Sequence, residues 1–242
     1  MTDPTPLAAF ARRRLPVSGL RQSAAWRPGL GASALHSELF AAGNEGSGAG
    51  LALALALDQA GQDDRPFLWV QDQAALRLSG RPYRPGLPPA LRSRLIHVAA
   101  EKPEDALFAL EEGLRCRDLA FVLGELAGNP RALSFTASRR LSLVAEKHGV
   151  PLWLVRLDAA RDLSSARMRW QVSSAPSAPS RWNPAAPGHP VWQAELFRAR
   201  AYPPGQWTLC DDGQSLIANP GHQQAHPVDL VPGAGDRSLA AG

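Results

Sequence analysis

Apolar and helical patterns alternate along the middle of this chain. Leu35 to Ala42 reads as a first core strand, followed by the glycine-rich Gly43 to Gly50. Ser47 to about Ala60, an Ala/Leu run, reads as the helix behind that loop, broken by Gly61-Gln62-Asp63-Asp64. Phe67-Leu68-Trp69-Val70 and Leu95-Ile96-His97-Val98 are short apolar runs of the kind buried on both faces of a sheet. Ser79 to Pro89, between them, is a loop rich in Gly, Pro and Arg. Pro103 suits the first position of a helix, with Glu104 and Asp105 favourable in its first turn and Leu107, Leu110 and Leu114 at helical spacing. Leu119 to Leu123 predicts another buried strand. Thr136 is a plausible N-cap for a helix carrying Leu141, Val144 and Ala145, with Gly149 and Pro151 as its stop. Leu152 to Val155 predicts a further strand. The order over 34–157 is β-α-β-loop-β-α-β-α-β, which predicts an α/β fold with a mostly parallel sheet and helices on both faces.

Beyond that the pattern changes. Arg167 to Val172 alternates polar and apolar positions, the mark of a half-exposed antiparallel strand. Ala175 to Pro190 is a Pro/Ser/Ala loop. Val191 to Arg200, with Trp192, Ala194 and Leu196 on one face, and Gln206 to Cys210 complete a C-terminal antiparallel extension. The expected organisation is an arm over 1–33, a domain over 34–212 and a flexible tail over 213–242. Within the arm, Leu7 to Leu15 reads as a short basic helix, which serves either to dock on a partner or simply as a frayed terminus.

The 242 residues suffice for one or two domains. The formal charge is +4, nearly all of the cationic residues being Arg; this suits a nucleic-acid or acidic-protein partner without requiring one. Cys116 and Cys210 lack metal-ligand spacing and are expected as reduced thiols. No stretch approaches a membrane span or an export signal, so the expected location is cytoplasmic.

The loop carries the candidate chemistry. Gly43 and Gly48 occupy the two glycine positions of the phosphate-binding frame G-x-x-x-x-G-K-[ST]. The next two positions are Ala49 and Gly50, so the ammonium that reaches the phosphates and the hydroxyl that holds Mg²⁺ are both missing. An ordinary strand-to-helix turn accounts for the same residues. Past Leu119–Leu123, where an NTPase places an Asp, stand Gly124 and then Glu125; past Phe67–Val70, where it places a carboxylate base, stand Asp72 and Gln73. Taken together these speak against ATP hydrolysis, and no cofactor is implied. His222 and His226 have i, i+4 spacing but no third ligand, so no metal site is expected. No nucleophile elbow occurs. Arg139-Arg140 and Arg167/Arg169 are the densest basic pairs of the core; they are candidate contacts for a partner or DNA, and a solvated helix or strand face explains them as well.

Several stretches carry a resemblance. Leu30 to Gly43 resembles the entry into the ATPase core of RecA-like recombinases. Leu35-His36-Ser37-Glu38, Gly80 to Leu87, Ala109 to Cys116, Gly124-Glu125-Leu126, Leu133 to Leu141 and Arg169-Trp170-Gln171-Val172, leading to Ala175-Pro176-Ser177, are similar in order and spacing to the ImuA proteins of the bacterial SOS mutagenesis cassette. The resemblance spans about 30 to 212. It implies a RecA-like fold and a non-catalytic role in SOS-induced translesion DNA synthesis and mutagenesis. It also implies contacts with a Y-family-polymerase-like protein and an error-prone replicative-type polymerase, and nucleoid association after DNA damage. A recombinase or DNA is a further expected partner. The related cell-division inhibitor SulA, which binds FtsZ, supplies an alternative reading; residual nucleotide binding is another. The segments after Leu123 and after Leu157 are short where recombinases carry DNA-binding loops, so filament-style DNA binding is not implied.

Overall fold

A computed structural model describes residues 35–180, 183, 185–200, 202–213 and 215–220. The arm over 1–33, with its basic Leu7–Leu15, and the pair His222/His226 lie outside the described residues. The parallel part of the fold runs β1 (His36–Ala41), α1 (Ser47–Ala60), β2 (Phe67–Asp72), α2 (Gln73–Ser79), β3 (Leu95–Ala100), α3 (Pro103–Arg115), β4 (Val122–Ala127), α4 (Phe135–His148) and β5 (Leu152–Leu157). The extension adds β6 (Met168–Ala175), β7 (Val191–Ala199), β8 (Gly205–Asp211) and β9 (Leu216–Pro220). All nine strands form one sheet in the order β3-β2-β4-β5-β1-β6-β7-β8-β9. Strands β1 to β5 pair in parallel, and β6 to β9 pair antiparallel with one another. The fold is thus α/β, a mostly parallel sheet flanked by helices with a C-terminal antiparallel extension.

Two apolar layers hold it. On one face α1 lies over the central strands. Its residues Leu51 to Ala56 are all buried, which is why its Ala/Leu pattern shows little sidedness. On the other face α3 and α4 place Leu107, Leu110, Leu114, Leu141 and Ala145 against Leu68, Val70, Leu152 and Leu154.

Four expectations need correction. After β2 the chain forms α2 instead of a loop: Asp72 caps it, accepting from the Ala75 N–H at 2.7 Å, and Gly80 ends it with φ 74°. Strand β4 runs from Val122 to Ala127, so Gly124 and Glu125 lie within it rather than past its end. Gly124 is needed there because Leu110 and Leu154 close over it; an added Cβ would stand 2.9 Å from Leu110 Cδ2. Strand β6 is not half-exposed at its start: Met168, Arg169 and Trp170 are buried, because β6 also pairs in parallel with β1 and so stands inside the sheet. Leu216–Pro220, expected in the tail, forms β9 against β8. No helix among the described residues is long and apolar enough to cross a membrane.

Candidate functional site

Strand β1 delivers Gly43 to the carboxyl ends of the parallel strands, the crevice where open α/β sheets bind ligands. There the loop is already closed by the protein's own acids. Asp158, the residue after β5, accepts the Gly43 N–H through Oδ1 at 2.9 Å. Its backbone is left-handed, with φ 50°, and its N–H donates to the Ala41 carbonyl at 3.0 Å. A Cβ on Gly43 would lie 2.5 Å from Asp158 Oδ2 and 2.9 Å from Leu78 Cδ1 of α2. Gly43 therefore makes room for a carboxylate and a leucine.

Glu45 is the second acid. It accepts from Ser47 Oγ at 2.9 Å and from the Ser174 N–H at 3.1 Å, and the Ser174 hydroxyl donates to it as well. Burial pushes this carboxyl up, but the Ser174 and Ser47 hydrogen bonds outweigh it and hold Glu45 below its ordinary value. The loop thus carries negative charge where a phosphate would need its absence.

The remaining motif positions serve packing. At Gly48 a Cβ would stand 2.7 Å from Val155 Cγ1 and 2.8 Å from Ala41 Cβ, so this glycine lets α1 seat on the sheet. Ala49 is half-buried against the same core. Beside Gly50 stands the indole of Trp192, brought by β7 to 3.3 Å from where a Cβ would be. The position that holds a metal-binding hydroxyl in a working loop faces an aromatic wall.

Across the crevice, Glu125 faces the same side of the sheet as the loop. Its carboxyl accepts from Trp69 Nε1 at 2.6 Å and from Ser79 Oγ at 2.9 Å. Gln71 donates to Ser79 Oγ at 3.1 Å and meets His97 Nε2 through its Oε1 at 2.9 Å. Burial raises the Glu125 pKa, against the lowering by its Ser79, Trp69 and Gln71 hydrogen bonds, with Asp72 adding to the rise. Asp72 is occupied as the α2 cap and Gln73 is exposed on the first turn of that helix. Each oxygen of Glu125 accepts one side-chain hydrogen bond, which fixes its carboxyl between Trp69 and Ser79. No group of three His, Cys, Asp or Glu able to hold a metal occurs among the described residues. Cys116 and Cys210 are free.

The four basic candidates do not form one surface. Arg169 is buried, donating through Nε to Glu38 Oε2 at 2.8 Å. Arg156, also buried, approaches Asp162 Oδ1 at 3.4 Å and Glu38 Oε1 at 3.9 Å. Both guanidiniums lie over the Phe40 ring, at 5.0 and 5.6 Å. Ser164 completes the cluster by donating to Glu38 Oε1 at 2.7 Å. Arg169 is therefore a core residue and cannot touch a partner. Arg167 bonds Glu146 at 2.7 Å and Arg140 bonds Glu111 at 2.6 Å. Arg139 is exposed and in no ion pair among the described residues.

Sequence reading missed Asp158, Glu45 and the Glu38–Arg156–Arg169 cluster. Glu38 and Arg156 did leave a signal, each a charge inside an otherwise buried strand. Asp158 left none, since its role comes from the adjacency of β1 and β5.

The fold and loop define an α/β protein with a glycine-rich strand-to-helix loop held by Asp158 and by Ser174 through Glu45. No protein-family model matches the chain, and no curated protein matches it significantly.

Proposed function

We propose that this chain is a non-catalytic RecA-like accessory factor of SOS-induced translesion synthesis and mutagenesis. It acts through protein–protein contacts, with a Y-family-polymerase-like mutagenesis protein and an error-prone replicative-type polymerase as partners. The family half of this reading rests on the motif resemblance. The non-catalytic half rests on one observation: the Gly43 N–H, first donor of the phosphate frame, is held by the Asp158 carboxylate. With Ala49 and Gly50 at the Lys and hydroxyl positions, none of the parts that would neutralise a triphosphate is in place. A RecA-like frame in this state keeps its surfaces and does no phosphoryl transfer.

Two measurements test it. Titration with a fluorescent ATP analogue is expected to show no saturable binding at millimolar nucleotide; tight binding would return the chain to the nucleotide-binding class. Affinity purification of the tagged protein from DNA-damaged cells is expected to recover the polymerase-like protein. Recovery of FtsZ in its place would replace the mutagenesis reading with division inhibition.

A further inference from the structure

One surface is not used in the account of the glycine loop. Between Asp72 and Glu101 the chain holds five arginines, Arg77, Arg81, Arg84, Arg92 and Arg94, and no Asp, Glu or Lys. That local charge exceeds the +4 of the whole chain. The segment wraps the β3 edge of the sheet from α2 onward. None of the five is in an ion pair among the described residues. Three of them spend their donors on neutral backbone carbonyls. Arg84 bonds Leu95 O at 2.9 Å, Arg92 bonds Leu87 O at 2.9 Å, and Arg94 bonds Arg65 O and Asp63 O at 2.6 to 2.8 Å. Asp63, the acid nearest to Arg94, is itself paired with Arg65. Arg77 and Arg81 are exposed. The field reaches a neighbouring group: burial first, then the charges of Arg81 and Arg84, push the His97 pKa down.

An aromatic ring stands in the middle of this charge. Tyr83 is 74% exposed, the most exposed of the aromatic side chains among the large exposed hydrophobics of the described residues. It is not a loose side chain. Its ring lies against the backbone of Gly86, where an added Cβ would be 3.1 Å from Tyr83 Cδ1. The turn beneath it is closed by Gly86 N–H to Tyr83 O at 2.9 Å and Leu87 N–H to Arg84 O at 3.1 Å. Leu87 and Leu91 anchor it in the core, and Pro82, Pro85, Pro88 and Pro89 stiffen it. The ring is thus set against the turn with its other side toward solvent, between Arg81 and Arg84 in the sequence.

We propose that the Arg77–Arg94 segment is a docking surface for single-stranded nucleic acid, with Tyr83 stacking on a base and Arg77 and Arg81 holding phosphates. Positive charge alone would suit any polyanion. The preorganised ring favours nucleic acid, because every base has a π-face to stack on it, whereas the carboxylates that would meet the arginines from an acidic peptide have none. It selects a single strand because the bases of a duplex are already stacked on one another. This surface needs no family assignment, so its failure would leave the proposed partners standing, and theirs would leave it standing.

The test is fluorescence anisotropy of a labelled oligo-dT of about 20 nucleotides titrated with the full chain, from about 50 to about 200 mM salt. The wild type is expected to bind, with affinity falling steeply as salt rises. Arg77→Ala with Arg81→Ala is expected to weaken binding roughly tenfold or more. It should also flatten the log–log salt slope by about 1.4, two phosphate contacts at about 0.7 each on a single strand. Tyr83→Ala is expected to weaken binding roughly tenfold with the slope unchanged, and Tyr83→Phe to bind as wild type does, which separates stacking from a disturbed turn. Arg139→Ala with Arg140→Ala should leave binding as it was. An absence of oligonucleotide binding by the wild type, or unchanged binding after removal of Arg77 and Arg81, would overturn the proposal. So would equal affinity for polyglutamate together with indifference to Tyr83→Ala, which would assign the surface to an acidic protein.

Discussion

At the scale of single residues, two buried ionisable groups set how the protein responds to pH. His36 is 1% exposed, with Nδ1 against Ser142 Oγ at 2.7 Å. Its pKa falls from 6.5 to about 4, first because burial penalises the imidazolium, with Glu38 opposing and Arg167 and Arg169 adding to the fall. The unfolded chain therefore takes up a proton near 6.5 that the folded chain refuses until about 4. The stability His36 contributes is complete above the unfolded value and is lost on acidification through that window, amounting to about 3 kcal/mol. Urea unfolding between those pH values should show this loss, and His36→Gln should remove most of it. Glu125 has the opposite sign. Its folded pKa is raised, so the folded state holds a proton that the unfolded chain releases above its ordinary value of 4.5. That contribution is present at low pH and disappears as pH rises through the raised pKa. Glu125→Gln keeps an acceptor for Trp69 and is expected to be at least as stable as wild type at neutral pH, with a flatter pH profile in the same denaturation measurement. Glu38 is different again, being an ionic partner in the core. Glu38→Gln strips from Arg169 and Arg156 their buried acid, leaving only the part-exposed Asp162 among the described residues, and a loss of about 3 to 5 kcal/mol is expected from equilibrium unfolding.

At the scale of elements, the glycine loop is a joint among strands. Asp158 ties the end of β5 to the loop, Glu45 ties the loop to Ser174 on β6, and Trp192 from β7 covers Gly50. Gly48→Ala would set a methyl against Val155 and Ala41 and force α1 away from the sheet, at a cost of about 1 to 3 kcal/mol in unfolding free energy. Restoring the two lost motif residues by Ala49→Lys and Gly50→Thr is expected to leave ATP affinity unmeasurable. The Gly43 N–H is still held by Asp158, and the new side chain at 50 meets the Trp192 ring. Adding Asp158→Gly, which suits the left-handed φ of 50°, together with Trp192→Ala removes both obstacles, and only that fourfold variant is expected to gain detectable nucleotide in the same titration.

At the scale of the molecule, one sheet separates two kinds of surface. The crevice at the ends of the parallel strands brings Asp158 and Leu78 of α2 onto Gly43, whereas the segment leading into β3 carries five arginines, none in an ion pair among the described residues. The face of β1, β5 and β6 beside α4 is covered by the segment over 158–166. The fit there is polar: Ser138, Ser142, Ser164 and Ser165 share hydrogen bonds of 2.6 to 3.2 Å. This is why a helix is not needed over Glu38 and Arg169.

The α/β class, the parallel sense of the sheet and most helices were legible in the chain because they depend on local periodicity and glycine stops, although the α4 cap is Ser134 and not the expected Thr136. The α1 boundaries are those expected from the Gly-rich loop and the Gly61 stop, and Trp192, Ala194 and Leu196 face the core as the alternation of β7 requires. That Ala49 and Gly50 stand where a phosphate-binding frame has Lys and a hydroxyl was equally plain, since motif positions are properties of the sequence. The fate of the charges was not. Arg169 and Arg139 look alike in the sequence, yet one is buried against Glu38 and the other exposed, because β6 enters the sheet beside β1 while Arg139 stands on the solvent side of α4. Asp158 and Gly43 are 115 residues apart and meet because β1 and β5 are neighbours. Periodicity reports which side of its own element a residue occupies. Which foreign element lies there follows from the strand order, and that order is settled by long-range pairing of the whole sheet.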